Sequence, residues 1–261
     1  MKPHHKIGPS LRHLPGQGLH KAAEELWDSE VLVPLTVAFV GVVIFILECL
    51  HVSGLFKPSI LFGAFSMLLA TAIAARKIIK GLPKYRMMKR GEEGERIVAQ
   101  YIERDLIPQG YSVFHDIQLE KDGKTFNIDH LLVGPNGVFA VETKNYSKPS
   151  RGEARVTYDG RQLLWNGQPR HDEDKQARSI AAAAHEYIAD LTGISVIVRP
   201  VLCAIGWFAA STALYQHPVL LVMEKTLGSV ILKIPPPSGW NESNQQVVAR
   251  IIARAQTSRG N

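Results

Sequence analysis

A chain of 261 residues, 46% apolar and 21% charged with two cysteines, fits neither a disordered or collagen-like polymer nor a disulfide-stapled scaffold. Its net charge of +6 is unevenly placed: residues 1–90 carry 12 Lys+Arg against 5 Asp+Glu, whereas residues 91–261 carry 18 against 19. The excess charge therefore suggests a membrane or other surface partner for the first third, and removes net charge as an argument for nucleic-acid binding by the remainder. Cys49 lies in an apolar run and Cys203 in an expected strand, so no structural disulfide is expected and a reducing compartment fits.

From the N-terminus, residues 1–30 are polar and precede two apolar runs. Residues 31–50 contain one charge, Glu48 near the end, and residues 58–75 contain none. A hydrocarbon core needs roughly 17–25 apolar residues in a helix, so both runs qualify as spans. The seven residues 51–57 between them suit a tight hairpin loop, and Pro34 is expected in the first turn of the first span. Residue 57 is the loop's single Lys, whereas residues 76–90 hold seven Lys and Arg. The positive-inside rule then puts both termini in the cytoplasm, with the basic segment beside anionic head groups at about 1 kcal/mol per residue. The thirty polar residues ahead of the first run do not fit the short n-region of a cleaved signal peptide. The alternative is a buried helical hairpin in a soluble core. Glu48 fits a side chain that snorkels to the interface. A third apolar stretch, from Ile194 to Leu214, is interrupted by Arg199, Pro200 and Gly206 and reads as buried strands instead.

Residues 91–106 show helical amphipathicity, with Ile97, Val98, Tyr101 and Ile102 apolar. Strands are expected at 111–119, 125–133 and 138–146, the last two joined by a hairpin turn at Gly134-Pro135-Asn136-Gly137. A second hairpin joins 155–157 to 162–165 through Tyr158-Asp159-Gly160-Arg161. A helix follows at 171–191, then strands at 194–205 and 219–222. A final helix at 243–256 is expected to start with a Ser243/Gln246 capping box, after a stiff Pro235-Pro236-Pro237 connector. This organisation gives a cytoplasmic segment 1–30, spans 31–50 and 58–75, a basic linker 76–90, a domain at 91–234 and a C-terminal piece 235–261.

The first hairpin carries the chemistry. Opposed positions across its turn have numbers that sum to 271, as Gly134 and Gly137 do, and Asp129 with Glu142 obeys the same sum. Without a bulge their Cβ atoms lie about 4.5–5.5 Å apart. Lys144 points to the same face as Glu142. Opposed carboxylates repel; a divalent cation such as Mg²⁺ or Mn²⁺ relieves the repulsion, and a lysine beside it can orient an attacking water and stabilise charge on a phosphate. The duller alternative has Asp129 capping a turn and Glu142 paired with Lys144 on an exposed face. It conflicts with Ile128, Leu131, Leu132, Val133, Val138, Phe139, Ala140 and Val141, which make both strands look buried. His130 falls on the opposite face and reads as a core histidine.

Asp129, a twelve-residue spacer and Glu142-Thr143-Lys144 make the Asp…Glu-x-Lys signature of the PD-(D/E)XK, or restriction-endonuclease-like, superfamily, with Ile128 where that pattern has proline. Together with Gly91-Glu92-Glu93-Gly94-Glu95, Ile128-Asp129-His130 and Phe139-Ala140-Val141-Glu142-Thr143-Lys144-Asn145-Tyr146, the chain over roughly 88–225 resembles the NERD (nuclease-related) domain. That resemblance implies an α/β restriction-endonuclease-like core with a central mixed sheet flanked by helices, here preceded by the transmembrane hairpin. It implies Mg²⁺- or Mn²⁺-dependent cleavage of DNA or RNA, with Asp129 and Glu142 binding metal and Lys144 serving the attacking water. It further implies Glu95 as an extra ligand or metal-orienting group, and Gln176 contributing from the helix after Asn166-Gly167-Gln168-Pro169. Glu92 and Glu93 flank Glu95, and all three also suit a helix N-terminus as acids favoured by the dipole.

The expected protein is thus a nuclease-like phosphodiesterase anchored in a cell membrane, of the bacterial inner-membrane kind, with nucleic acid as substrate on the cytoplasmic side. The alternatives are an inactive nucleic-acid-binding or scaffold module of the same fold, and a small membrane sensor or transport accessory.

Overall fold

The computed structural model describes residues 15–49, 60–121, 124–211 and 214–259. The chain divides into two units, Gly18–Arg90 and Gly91–Asn261, the latter together with the chain up to Gln17.

In the first unit, helix α1 (Gln17–Trp27) passes through a π-helical turn (Asp28–Leu32) into α2 (Val33–Cys49). Pro34 was expected in a first helical turn but lies inside this continuous helix. Its missing N–H explains the local geometry: the Val33 N–H bonds to Asp28 O, a widened turn placed where proline leaves carbonyls without a donor. Helix α3 (Ile60–Asp105) also contains a proline, Pro83. Near it Tyr85 packs on Trp27 with ring centroids 4.9 Å apart, and a Cβ on Gly81 would meet the Glu30 side chain at 2.7 Å. Such close packing can offset the roughly 3 kcal/mol that an interior proline costs a helix. The segment 76–90, read as a linker, is therefore helical.

Among the described residues one helix, Gln17–Ile46, is long and apolar enough to cross a membrane. Its Phe39 and the Phe65, Leu68 and Ile73 side chains of α3 are exposed. The expected loop 51–57 lies outside the described residues, as do residues 58–59 of the second expected span, whose remainder opens α3.

The second unit is built on a five-stranded mixed sheet, β1 (Ser112–Lys121), β2 (Lys124–Gly134), β3 (Gly137–Lys144), β7 (Val198–Ala204) and β9 (Leu220–Met223), in that spatial order. The β1–β2 and β2–β3 pairs are antiparallel; β3–β7 and β7–β9 are parallel. A smaller sheet pairs β6 (Gln168–Pro169), β5 (Leu163–Trp165), β4 (Arg155–Tyr158) and β8 (Phe208–Ser211). Strand β8 was not separately anticipated, but the stretch around Arg199 and Pro200 does form strand.

Helices cover both faces of the main sheet. Val98, Ile102 and Leu106, with Leu227 and Ile231 of α5 (Leu227–Ile231), pack on one face. Ile180, Ala184 and Ile188 of α4 (His171–Thr192), with Val248 and Ile252 of α6 (Glu242–Arg259), pack on the other. Covering both faces explains the near-continuous apolar runs of β2 and β3. The capping box at Ser243 does not form. The helix starts one residue earlier, and Asn241 Oδ1 accepts the Asn244 N–H at 3.0 Å, because asparagine is already a strong N-cap.

The β2–β3 turn is tightly specified. Gly134 pairs with Gly137, whose φ of +114° suits glycine, and the Tyr111 ring lies where a Gly134 side chain would be. Tyr111 in turn donates to Asn136 Oδ1 at 3.0 Å. We expect Gly134→Ala to destabilise the full chain by about 1–3 kcal/mol through overpacking. A denaturant midpoint equal to wild type would contradict this.

Candidate functional site

The register across the turn follows the sum of 271 from Gly134–Gly137 to His130–Val141. Asp129 and Glu142 occupy the next step, and there the backbone ladder stops. Instead, Asp129 Oδ2 accepts the Thr143 N–H at 2.7 Å, so a carboxylate takes the place of a strand carbonyl. Strand β3 continues to Lys144 on its other side, pairing Glu142 with Leu202 and Lys144 with Ala204 of β7.

The strand break extends into β1. Phe114 and Ile117 pack in the same core cluster although strict alternation would put them on opposite faces; Leu131 and Ile128 do the same in β2. Both strands therefore turn over between these positions. Asp116 has a φ of +50° at that point, in the left-handed region that Asp tolerates better than most residues. Immediately before the break, His115 and His130 pair across the strands, Nδ1 to Nδ1 at 2.7 Å, both buried. Burial holds His115 down to about 4 and His130 well below the usual histidine range, so both are neutral near pH 7.

Lys144 Nζ donates to Glu142 Oε1 at 2.7 Å and to Gln176 Oε1 at 3.0 Å, while Gln176 Nε2 donates to the same Glu142 oxygen at 2.9 Å. Gln176 of α4 thus joins the hairpin residues, leaving Glu142 Oε2 buried without a hydrogen-bond partner. Glu95 of α3 is 3% exposed, and its Oε2 is likewise buried without a partner. Its position depends on Gly94, where a Cβ would lie 2.8 Å from both Asn145 Cβ and Ile205 Cδ1. Only glycine allows so close a helix approach to the ends of β3 and β7. Glu92 and Glu93, by contrast, are not buried.

The electrostatics follow from this crowding. Burial pushes the Glu95 carboxyl up to about 8, and the charges of Asp116 and Glu142 add to the shift. Burial, then Glu142 and Glu95, also holds Asp129 well above the usual carboxylate range. Glu142 is raised by burial too, although Lys144 opposes the shift.

Sequence reasoning missed three nearby groups. Glu173, three residues before Gln176 on α4, accepts the Tyr146 hydroxyl at 2.6 Å and Trp165 Nε1 at 2.7 Å. Its charge acts on Glu142. Spacing by one helical turn from Gln176 was the available signal. Tyr146, whose Oη makes that bond, stood within the quoted motif without a role. Asp116 could have been found from Asp122-Gly123, a two-residue hairpin signal whose sum of 245 places Asp116 opposite Asp129.

A divalent cation fits this donor set in a particular way. The oxygens are hard carboxylates, two of them buried and unpartnered, as Mg²⁺ or Mn²⁺ prefers. Among the described residues, however, no group of three His, Cys, Asp or Glu side chains is placed to hold a metal ion by itself. The arrangement suits an ion held by one or two carboxylates and otherwise by water and substrate oxygens.

A mixed sheet with helices on both faces and an Asp…Glu-x-Lys set on its central hairpin defines the class as an α/β domain with a buried acidic cluster. The family model of NERD, the nuclease-related domain, matches residues 90–205. An uncharacterized protein of Bacillus anthracis is 35% identical over 82 residues, covering 31% of this chain and 36% of that protein. The chain thus spans little more than a third of the relative it matches. No solved structure matches the chain.

The carboxyl of Glu95 ionises near 4.5 when unperturbed and near 8 in the fold. Between those values only the folded state holds the proton, so this contribution is complete below about 4.5 and is lost as pH rises through 8. In EDTA, the advantage in thermal stability of Glu95→Gln over wild type should widen across that interval, by up to about 1.4 kcal/mol per pH unit. A pH-independent difference would contradict the assignment.

Proposed function

We propose that the chain is a metal-dependent nuclease of the PD-(D/E)XK type, hydrolysing phosphodiester bonds of DNA or RNA. The observation that carries this reading is the hairpin end where Asp129 stands beside Glu142, whose free oxygen is buried while its other oxygen is bound by Lys144 and Gln176. A pure binding surface has no need of opposed buried acids.

Asp129 and Glu142 would hold Mg²⁺ or Mn²⁺, with Glu95 contributing from α3. When bound, the ion polarises the phosphate and the attacking water. The chain's own residues supply the geometry. The Thr143 amide fixes the Asp129 carboxylate, leaving it little rotational freedom. Glu142 and Gln176 hold the Lys144 ammonium, 14% exposed in its side chain, where it can donate to the attacking water and to a phosphate oxygen as charge develops. Gln176 binds both groups at once, accepting from the Lys144 ammonium and donating to the Glu142 oxygen that the ammonium holds.

Membrane attachment belongs to the same proposal. Helix Gln17–Ile46, the apolar face around Phe65, and the basic stretch from Arg76 to Arg90 support an anchor with both termini and the nuclease-related domain in the cytoplasm. The second span, residues 58–75, completes that hairpin.

The test uses the full-length chain in detergent with plasmid, single-stranded DNA and RNA, in Mg²⁺, Mn²⁺ or EDTA. We expect cleavage only with metal, and a loss of about 100-fold or more in Asp129→Asn and Lys144→Ala. Equal cleavage by wild type and both variants would overturn the assignment. Metal-independent binding without cleavage would favour a nucleic-acid-binding scaffold. For the anchor, reporter fusions after residue 261 and within 51–57 should report opposite sides of the membrane. Fusions reporting the same side would refute the hairpin.

A further inference from the structure

The acidic site is larger than the Asp…Glu-x-Lys set. Pairs between β1 and β2 have numbers that sum to 245 on both sides of the strand break, from Ser112–Val133 to Lys121–Lys124. Asp116 and Asp129 are the two positions left between the His115–His130 and Ile117–Ile128 pairs, and Asp129 and Glu142 are the first positions past the last β2–β3 pair, His130–Val141, so the three acids flank one break in the ladder. All three are buried: Asp116 is 8% exposed, Asp129 8% and Glu142 5%. Asp116 sits at the residue of positive φ where β1 turns over, and its charge acts on Glu95 more strongly than that of Glu142 does. Two independent atoms also point to a ligand site, Glu95 Oε2 and Glu142 Oε2, each on a buried residue and each without a hydrogen-bond partner.

We propose that Asp116 is a further member of the cation-binding set, holding the water shell of the divalent ion bound by Asp129 and Glu142. Its role is outer-sphere because, among the described residues, no three acids are placed to hold the ion directly, and Mg²⁺ characteristically keeps several of its waters. A carboxylate that accepts from metal-bound water fixes those waters and raises affinity without touching the ion. Asp116 is thus a positioning residue, and its placement rests on the metal-dependent reading of the site. The positive φ at Asp116 restricts alternatives: Asn and Gly tolerate this conformation, so the charge can be removed without forcing the backbone to change.

The test is Mn²⁺ binding to the full-length chain, measured by the electron paramagnetic resonance of free Mn²⁺. It is paired with the rise in melting temperature that Mn²⁺ produces over EDTA. Asp116→Asn and Asp116→Gly should each weaken binding about 10–100-fold, the range of outer-shell metal partners. The Mn²⁺-induced rise in melting temperature should shrink accordingly, while Asp190→Asn, on an exposed position of α4, leaves both readouts unchanged. In EDTA, Asp116→Asn should melt no lower than wild type, since it removes one charge from a crowded set; an acid needed only for structure would lower it. If Asp129→Asn loses Mn²⁺ while both Asp116 variants bind like wild type, the role of Asp116 is refuted and the metal site stands. If wild type binds no Mn²⁺ at millimolar concentration, both readings fall.

Discussion

Repulsion among buried carboxylates is the constraint on which the acidic end of this domain depends. Two like charges 5 Å apart at an effective dielectric of 20 repel by about 3 kcal/mol, before the desolvation of either is counted. Asp129, Glu142, Glu95 and Asp116 are all buried at one end of the hairpin. The surrounding chain supplies partial compensation: a backbone amide for Asp129, and an ammonium braced by an amide side chain for Glu142. Glu95 receives a backbone hydrogen bond from Gly16. These supports leave two carboxylate oxygens unmatched, a condition that natural folds tolerate mainly where a ligand supplies the missing partner.

The sheet and its helices place this end with little slack. Gly94 brings α3 against the tips of β3 and β7, and Gln176 enters from α4 on the opposite face. The acid set is therefore clamped between helices of both layers, each held by its own apolar cluster. Residues distant in sequence converge through strand pairing that depends on a two-residue turn and on one glycine that admits Tyr111.

Much of this geometry could be read from residues alone, because antiparallel register is arithmetic once a turn is known. Gly134 to Gly137 yielded the pairing that brings Asp129 beside Glu142, and the apolar run around Leu131 and Phe139 showed that the pair is buried. Gln176 was accessible only through family resemblance, since nothing local tells a helix residue which sheet end it will meet. Asp116 escaped because the Asp122-Gly123 dipeptide was not read as a turn signal, and because a non-glycine left-handed residue inside a strand leaves no periodic trace. The helices were misjudged where punctuation residues were trusted. Pro34, Pro83 and Gly91 each suggest a boundary, yet all three lie inside helices; packing outweighed propensity there. The misplaced cap at Ser243 has a different cause, since Asn241 competes for the same role two residues earlier.

The pair formed by His115 and His130 has a further consequence. A contact of 2.7 Å between two Nδ1 atoms of neutral rings can contain only one proton, so the rings adopt different tautomers. One carries its hydrogen on Nδ1 and leaves Nε2 bare; the other accepts at Nδ1 and carries its hydrogen on Nε2. Both Nε2 atoms are buried without partners, so exchanging the two roles requires protons to be gained and lost at positions water does not reach. Two chemically identical side chains, facing each other across the ladder, are thereby made inequivalent. The core beside the acids thus carries an orientation, a donor end and an acceptor end.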